Sequence, residues 1–233
     1  MKISNTSNNK IDTRSLSEMT YEYIVNQIMA GALVFGDVIK IDRTAKELGI
    51  SSMPVREALK RLAFEGVVEI KPRSRCLIKA PSKDSILELI EARKLIELYA
   101  VENYLKNSKP ILIGELKSIA SKMEKIINSD DIQSHLNEFL SLDRDFHIQL
   151  SKLSQNRYLI NFYKLINLQI SMTFTYSIHE YKINKKSAKD HLTIMRFLES
   201  KSPRAVTVLR QHLKYFKRMA IKKMKIETNN EKL

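Results

Sequence analysis

The chain has one cysteine, Cys76, among 233 residues. A single thiol excludes an intrachain disulfide and fits a reducing compartment. The opening residues, MKISNTSNNKIDTRS, lack the apolar stretch of a secretory signal. No apolar run approaches the roughly 20 residues that a membrane-spanning helix needs. The expected location is therefore the cytoplasm, with no membrane partner. Glycine is scarce too. Four of the five glycines (Gly31, Gly36, Gly49, Gly66) crowd into the first third, and Gly114 follows alone. Glycine marks turns and helix ends. The first third thus reads as short elements with tight turns, and the remainder as long helices with polar connections.

Acidic charge is in deficit, with 40 Lys+Arg against 26 Asp+Glu and a net charge of +14. The balance is 13 basic to 9 acidic residues up to residue 80, and 27 to 17 beyond it. The excess favours a polyanionic partner but does not locate its site. A composition of 43% hydrophobic and 28% charged residues is that of an ordinary soluble protein, and the length suits one large domain or two modest ones.

In the first third, SEMTYEYIVNQIMA places Tyr21, Ile24, Ile28 and Met29 on one helical face, with Ser17 as a candidate cap and Gly31 as a stop. A short helix is expected from about Arg43 to Leu48, ended by Gly49, and a third from Ser51 to Gly66. Pro54 falls in the first turn of the third helix, where its missing N–H breaks no bond. VVEIKP and RCLIKA then read as two strands around the basic turn Lys71–Arg75. This order defines a winged helix-turn-helix over 16–80, after an N-terminus of 1–15 expected to be disordered.

The third helix divides its faces. Val55, Ala58, Leu59 and Leu62 form an apolar stripe, while Ser52, Arg56 and Lys60 follow one another at i, i+4 and i+8 on a different face. A helix presented to the DNA major groove needs this division, with its N-terminal turns nearest the bases. Ser51, Ser52, Met53 and Arg56 are the candidate base-proximal residues. Lys60, Arg61 and the wing residues Arg73 and Arg75 complete the candidate DNA-binding set, with Lys60 and Arg61 suited to phosphates. The pattern GALVFGDVI…TAKELGISSMPVREALKRLAFEGVVE resembles the N-terminal domain of the GntR family of bacterial transcription regulators. That resemblance covers about 16–79. Ser52 and Met53 stand where the family usually has arginine and threonine, Phe35 where it has proline, and Arg75 where it has glycine. It implies a homodimer on palindromic double-stranded operator DNA.

A linker at 81–84 leads to a mainly α remainder, in which Ser85 and Glu88 suggest a capping box. Six helices are expected, at about 84–107, 110–128, 131–154, 156–181, 187–200 and 203–225, with a disordered tail at 226–233. This all-α bundle, 85–225, holds all five histidines. His147 lies in the apolar stripe of its helix with Asp143 one turn before it. His191 leads the stripe Ile194, Met195, Leu198, and His212 sits between Leu209 and Phe216. Buried polar groups need partners. Hydrogen-bonded core histidines are one outcome. Convergence of Asp143, His147, His191 and His212 on zinc or another late first-row divalent metal is the other.

LDRDFHIQLSKLSQNRYL and DHLTIMRFLES…RQH resemble the FCD ligand domain of FadR-type regulators, over about 85–220. That resemblance implies a metal on those four residues and a small carboxylate metabolite as effector. It also places Arg93, of the Arg93-x-x-x-Glu97 pair, at the effector cavity, with a structural Arg–Glu pair as the alternative. The expected function is thus an effector-modulated transcription regulator rather than an enzyme. A metalloenzyme built on a three-His, one-Asp site is the alternative. The basic last helix, Lys214 to Lys225, could otherwise lie on a membrane surface, but a solvated face of a packed helix is the simpler reading.

Overall fold

A computed structural model describes residues 15–71, 75–107, 113–176 and 185–230, with side chains left out at 173–176, 186–187 and 222–230. Arg73, His179 and the outermost residues of both ends lie outside the described residues. The first unit comprises α1 (Leu16–Met29), β1 (Val38–Ile39), α2 (Ile41–Leu48), α3 (Ser52–Phe64), β2 (Val68–Lys71) and β3 (Arg75–Ile78). The second comprises α4 (Lys83–Asn107), α5 (Gly114–Ile127), α6 (Leu136–Lys152), α7 (Arg157–Tyr176), α8 (Lys185–Glu199) and α9 (Arg204–Asn230).

The wing differs from the expected ribbon. Val38–Ile39 adds a third antiparallel strand, so the sheet order is β1-β3-β2, with Ile39 opposite Cys76 and Val68 opposite Ile78. Two residues are too short to announce a strand by alternation, which explains the omission. Helix starts also shift. Ser15, not Ser17, caps α1 through its Oγ, which accepts from the Glu18 N–H at 3.1 Å. Ser82, not Ser85, closes the first turn of α4 by accepting from the Ser85 N–H. Ile86 and Ile90 on this helix are buried in the core. The expected start of the long helix at 131 is instead a single 3-10 turn, Gln133–His135, because Asp131 accepts from the Ser134 amide and hydroxyl. α9 continues to Asn230, since no glycine or proline interrupts IETNN.

Other boundaries follow the residues that set them. Gly49 ends α2 in the left-handed region at φ 66°, which glycine adopts without a Cβ penalty. Asn156 caps α7, its Oδ1 accepting from the Tyr158 and Leu159 amides. The winged core contains Ile24, Ile28, Val55, Leu59, Leu62, Val68, Cys76 and Ile78, but also Leu168 and Met172 from α7. The opposite side of α7 places Tyr163, Ile166 and Ile170 among Ile86, Ile90 and Ile96 of α4 and Phe216 of α9. One helix therefore belongs to both cores.

Candidate DNA-binding face and buried histidine site

The third helix behaves as its pattern demands. Val55, Ala58, Leu59 and Leu62 are each no more than 2% exposed. Ser51, Met53, Arg56 and Lys60 are exposed, and Ser52 is half-buried. Ser51 occupies the N-cap position in extended backbone, though its side chain makes no cap hydrogen bond. Arg56 and Lys60 thus stand on the solvent side of a helix whose other side is anchored. Arg75 is exposed on β3, opposite Lys71. Arg61, expected at a phosphate, has another engagement. Its guanidinium pairs with Glu18 and with Glu65 and stacks 3.8 Å above the Tyr21 ring. The Tyr21 hydroxyl donates to Glu65 as well. Arg61 therefore braces α3 against α1.

The histidines come from three helices of the bundle. The donor atoms of His147 (α6), His191 (α8) and His212 (α9) all lie within 4.8 Å of one another. His147 Nε2 is 3.1 Å from His191 Nε2 and 3.3 Å from His212 Nε2. Asp143 Oδ1 approaches from one side, 3.3 Å from His191 Nε2, and is not a member of that tight triplet. The three imidazoles are at most 4% exposed, and Phe146 forms an apolar wall against His147 and His191.

What fixes His147 lies behind it. Its Nδ1 is 2.9 Å from Glu97 Oε2 on α4. A carboxylate there selects the Nδ1–H tautomer and turns the Nε2 lone pair inward. Glu97 Oε1 accepts from Arg93 Nε at 2.7 Å and from the Tyr163 hydroxyl at 2.6 Å. Burial would push the Glu97 carboxyl up, but Arg93, His147 and Tyr163 outweigh it and hold it down to about 2. Burial, reinforced by Arg93, lowers His147. Burial together with its two imidazole neighbours puts His191 well below its ordinary value. Burial, then the charge of Glu97, raises the Tyr163 hydroxyl. His147 and His191 are therefore neutral at pH 7, the form that ligates metals.

The donor set fits a divalent metal. Two imidazole nitrogens held at about 2.0–2.1 Å from one zinc would sit about 3.0–3.4 Å apart, depending on the angle. The observed separations of 3.1 and 3.3 Å match. His191 Nδ1 and His212 Nδ1 have no hydrogen-bond partner among the described residues, and an ion on the Nε2 atoms would leave them so. Asp190 Oδ2 comes no nearer than 3.6 Å to His212 Nδ1.

Sequence reasoning missed Glu97 as the partner of His147. A signal was present, because Arg93 and Glu97 interrupt the apolar stripe Ile86, Ile90, Ala100, Tyr104 and are themselves buried. Nothing marked Tyr163, an aromatic on an apolar face. Arg93, expected at the effector, has Glu97 as its partner and lies 5.0 Å from the Phe216 ring.

A winged helix-turn-helix with an exposed basic recognition face, followed by a helical bundle with a buried histidine cluster, defines a regulator class. The chain matches the bacterial regulatory proteins of the gntR family over residues 16–78 and the FCD domain over residues 88–215. It belongs to the GntR family of bacterial regulators, in the group that carries a C-terminal FCD domain. Among curated relatives it is 28% identical to the gluconate operon transcriptional repressor of Bacillus subtilis, over 57% of this chain and 53% of that one. It is likewise 28% identical to the HTH-type transcriptional regulator McbR of Escherichia coli, over 53% and 56%. The chain thus spans about half the length of these relatives, which are transcription regulators rather than enzymes. The solved structure of E. coli McbR/YncC superposes with a TM-score of 0.77 at 19% identity, covering 91% of this chain and 100% of that one. A GntR regulator from Rhodococcus gives 0.76 at 16%, covering 89% and 98%. Among the described residues, no helix is long and apolar enough to cross a membrane.

Proposed function

We propose that this chain represses or activates transcription as a homodimer, reading a palindromic operator with paired winged helices under control of a metal-centred effector site. The convergence of three buried imidazoles, with His147 Nε2 beside the Nε2 atoms of His191 and His212, carries the sensor half of this reading. His147, His191 and His212 would hold zinc or a similar divalent ion, with Asp143 as the oxygen donor at the open side, its side chain 25% exposed. When bound, such an ion supplies positive charge and coordination positions that a small carboxylate metabolite can fill. Arg93 supports the site from behind by keeping Glu97 ionised, which fixes His147. Arg56, with Ser51, Ser52, Met53 and Lys60 beside it, supplies the DNA contacts, and Arg75 extends them on the wing. Apolar side chains exposed on adjacent helices support a dimer: Leu95 and Tyr99 on α4, Tyr158 and Phe162 on α7. A monomer in light scattering, with and without operator, would remove that element.

The test is operator affinity of the full chain, chelator-treated and zinc-loaded, against a panel of small carboxylates. An effector response that needs zinc and disappears in His147→Ala and His191→Ala supports the reading. A full response in metal-free protein rejects it.

A further inference from the structure

α7 touches both halves of the molecule with different side chains. On the bundle side, the Tyr163 hydroxyl donates to Glu97, the carboxylate that holds His147. Six residues later, about 9 Å along the axis at 1.5 Å per residue, Gln169 Nε2 donates to the Glu65 carbonyl. Glu65 is the C-cap residue of α3, the helix that carries Arg56 and Lys60. The effector domain thus supplies a hydrogen bond to a carbonyl at the end of the recognition helix, where such groups lack intrahelical partners. Gly66 makes the approach possible: a Cβ there would lie 2.7 Å from Gln169 Nε2, and its φ of +73° already disfavours other residues. Leu168 and Met172 flank the contact and are buried in the winged core.

We propose that α7 transmits the state of the histidine site to the recognition helix, with Tyr163 engaging Glu97 at one end and Gln169 positioning the C-terminus of α3 at the other. The inference rests on the metal-site reading above. An ion drawn onto His147 changes the demand on Glu97 and hence on the Tyr163 hydroxyl. α7 is packed on both sides, so a shift at Tyr163 moves Gln169 with it. The recognition helix is then held in one of two placements relative to the bundle, and the ion biases their populations.

The experiment uses the full chain with zinc ion as probe. Three quantities are measured in wild type, Gln169→Met and Tyr163→Phe: zinc affinity by chelator competition, operator affinity with and without zinc, and amide exchange across 65–67. Wild type should bind zinc and show operator affinities differing by several-fold between the two states, with exchange at 65–67 changing in parallel. Gln169→Met keeps the length of the side chain but removes the amide donor. It should retain wild-type zinc affinity while the ratio of operator affinities falls to within about twofold of one. Tyr163→Phe should lower the ratio likewise, and Gln169→Lys, which restores a donor, should recover part of it. Wild type that binds no zinc fails the site reading itself, and the transmission falls with it. Wild type that binds zinc with no change in operator affinity or exchange overturns transmission alone, as does a Gln169→Met variant that keeps the full ratio.

Discussion

The recognition helix and the histidine site show two ways of building function. On α3 the working residues are exposed, share one helix and need only a buried opposite face. In the bundle they are buried, come from three helices and depend on a fourth and a fifth for orientation. The first arrangement tolerates substitution, because an exposed arginine supports nothing behind it. The second does not, because Glu97, His147, Arg93 and Tyr163 satisfy one another. Sensitivity to mutation should therefore differ sharply between the two regions, and the sharpest contrast lies in stability.

Glu97→Gln leaves Arg93 buried without its counter-charge. The variant should lose about 3–5 kcal/mol of unfolding free energy by chemical denaturation, as well as metal affinity. A loss below 1 kcal/mol would mean that the network is less interdependent than its geometry implies. Next in size is His147→Ala, which should reduce zinc affinity by more than the roughly 10–100-fold typical of losing an outer partner. A chelator competition showing near wild-type affinity would place the metal elsewhere. Arg56→Ala should weaken operator binding by about 1–3 kcal/mol while leaving metal affinity and thermal stability unchanged. If stability falls instead, the face division on α3 is wrong. Lys60→Ala should have the smallest effect, reducing the salt slope of operator binding by about 1 with little change in base preference.

Acid adds a further contrast. His147 and His191 are depressed in the fold, so the unfolded chain binds protons first as pH falls below the ordinary histidine value. Stability is then lost with falling pH from about 6.5 downward. Glu97, lowered to about 2, extends the loss below the ordinary carboxylate range. Metal-free protein should show this as a falling unfolding midpoint between pH 7 and 5, and His191→Phe should flatten the curve.

The same contrast explains what could be read in advance. The face division on α3, the glycine stops and the long helices are local, set by spacing of 3.6 residues and by caps, so the sequence exposes them. The interrupted apolar stripes at His147, His191 and His212 also showed on their own helices. Their partners did not, because Glu97 is 50 residues from His147 and Tyr163 is 66 from Glu97. Such pairings are decided by how the helices dock. β1 was hidden for a related reason: two residues become a strand only when β3 lies beside them. Arg61 shows the converse, since a basic residue on the same helix also pairs with Glu18 and Glu65, a long-range choice that its position on the helix did not announce.

The most direct test of the buried site is X-ray absorption at the zinc edge on this chain, with metal content measured on the same sample. One zinc per chain, surrounded by three imidazoles and oxygen donors with no sulfur, is the expected result, because the single cysteine, Cys76, lies buried in the winged core. Sulfur ligation, fewer than three imidazoles, or no retained metal would contradict a three-histidine centre and return His147, His191 and His212 to the role of core residues.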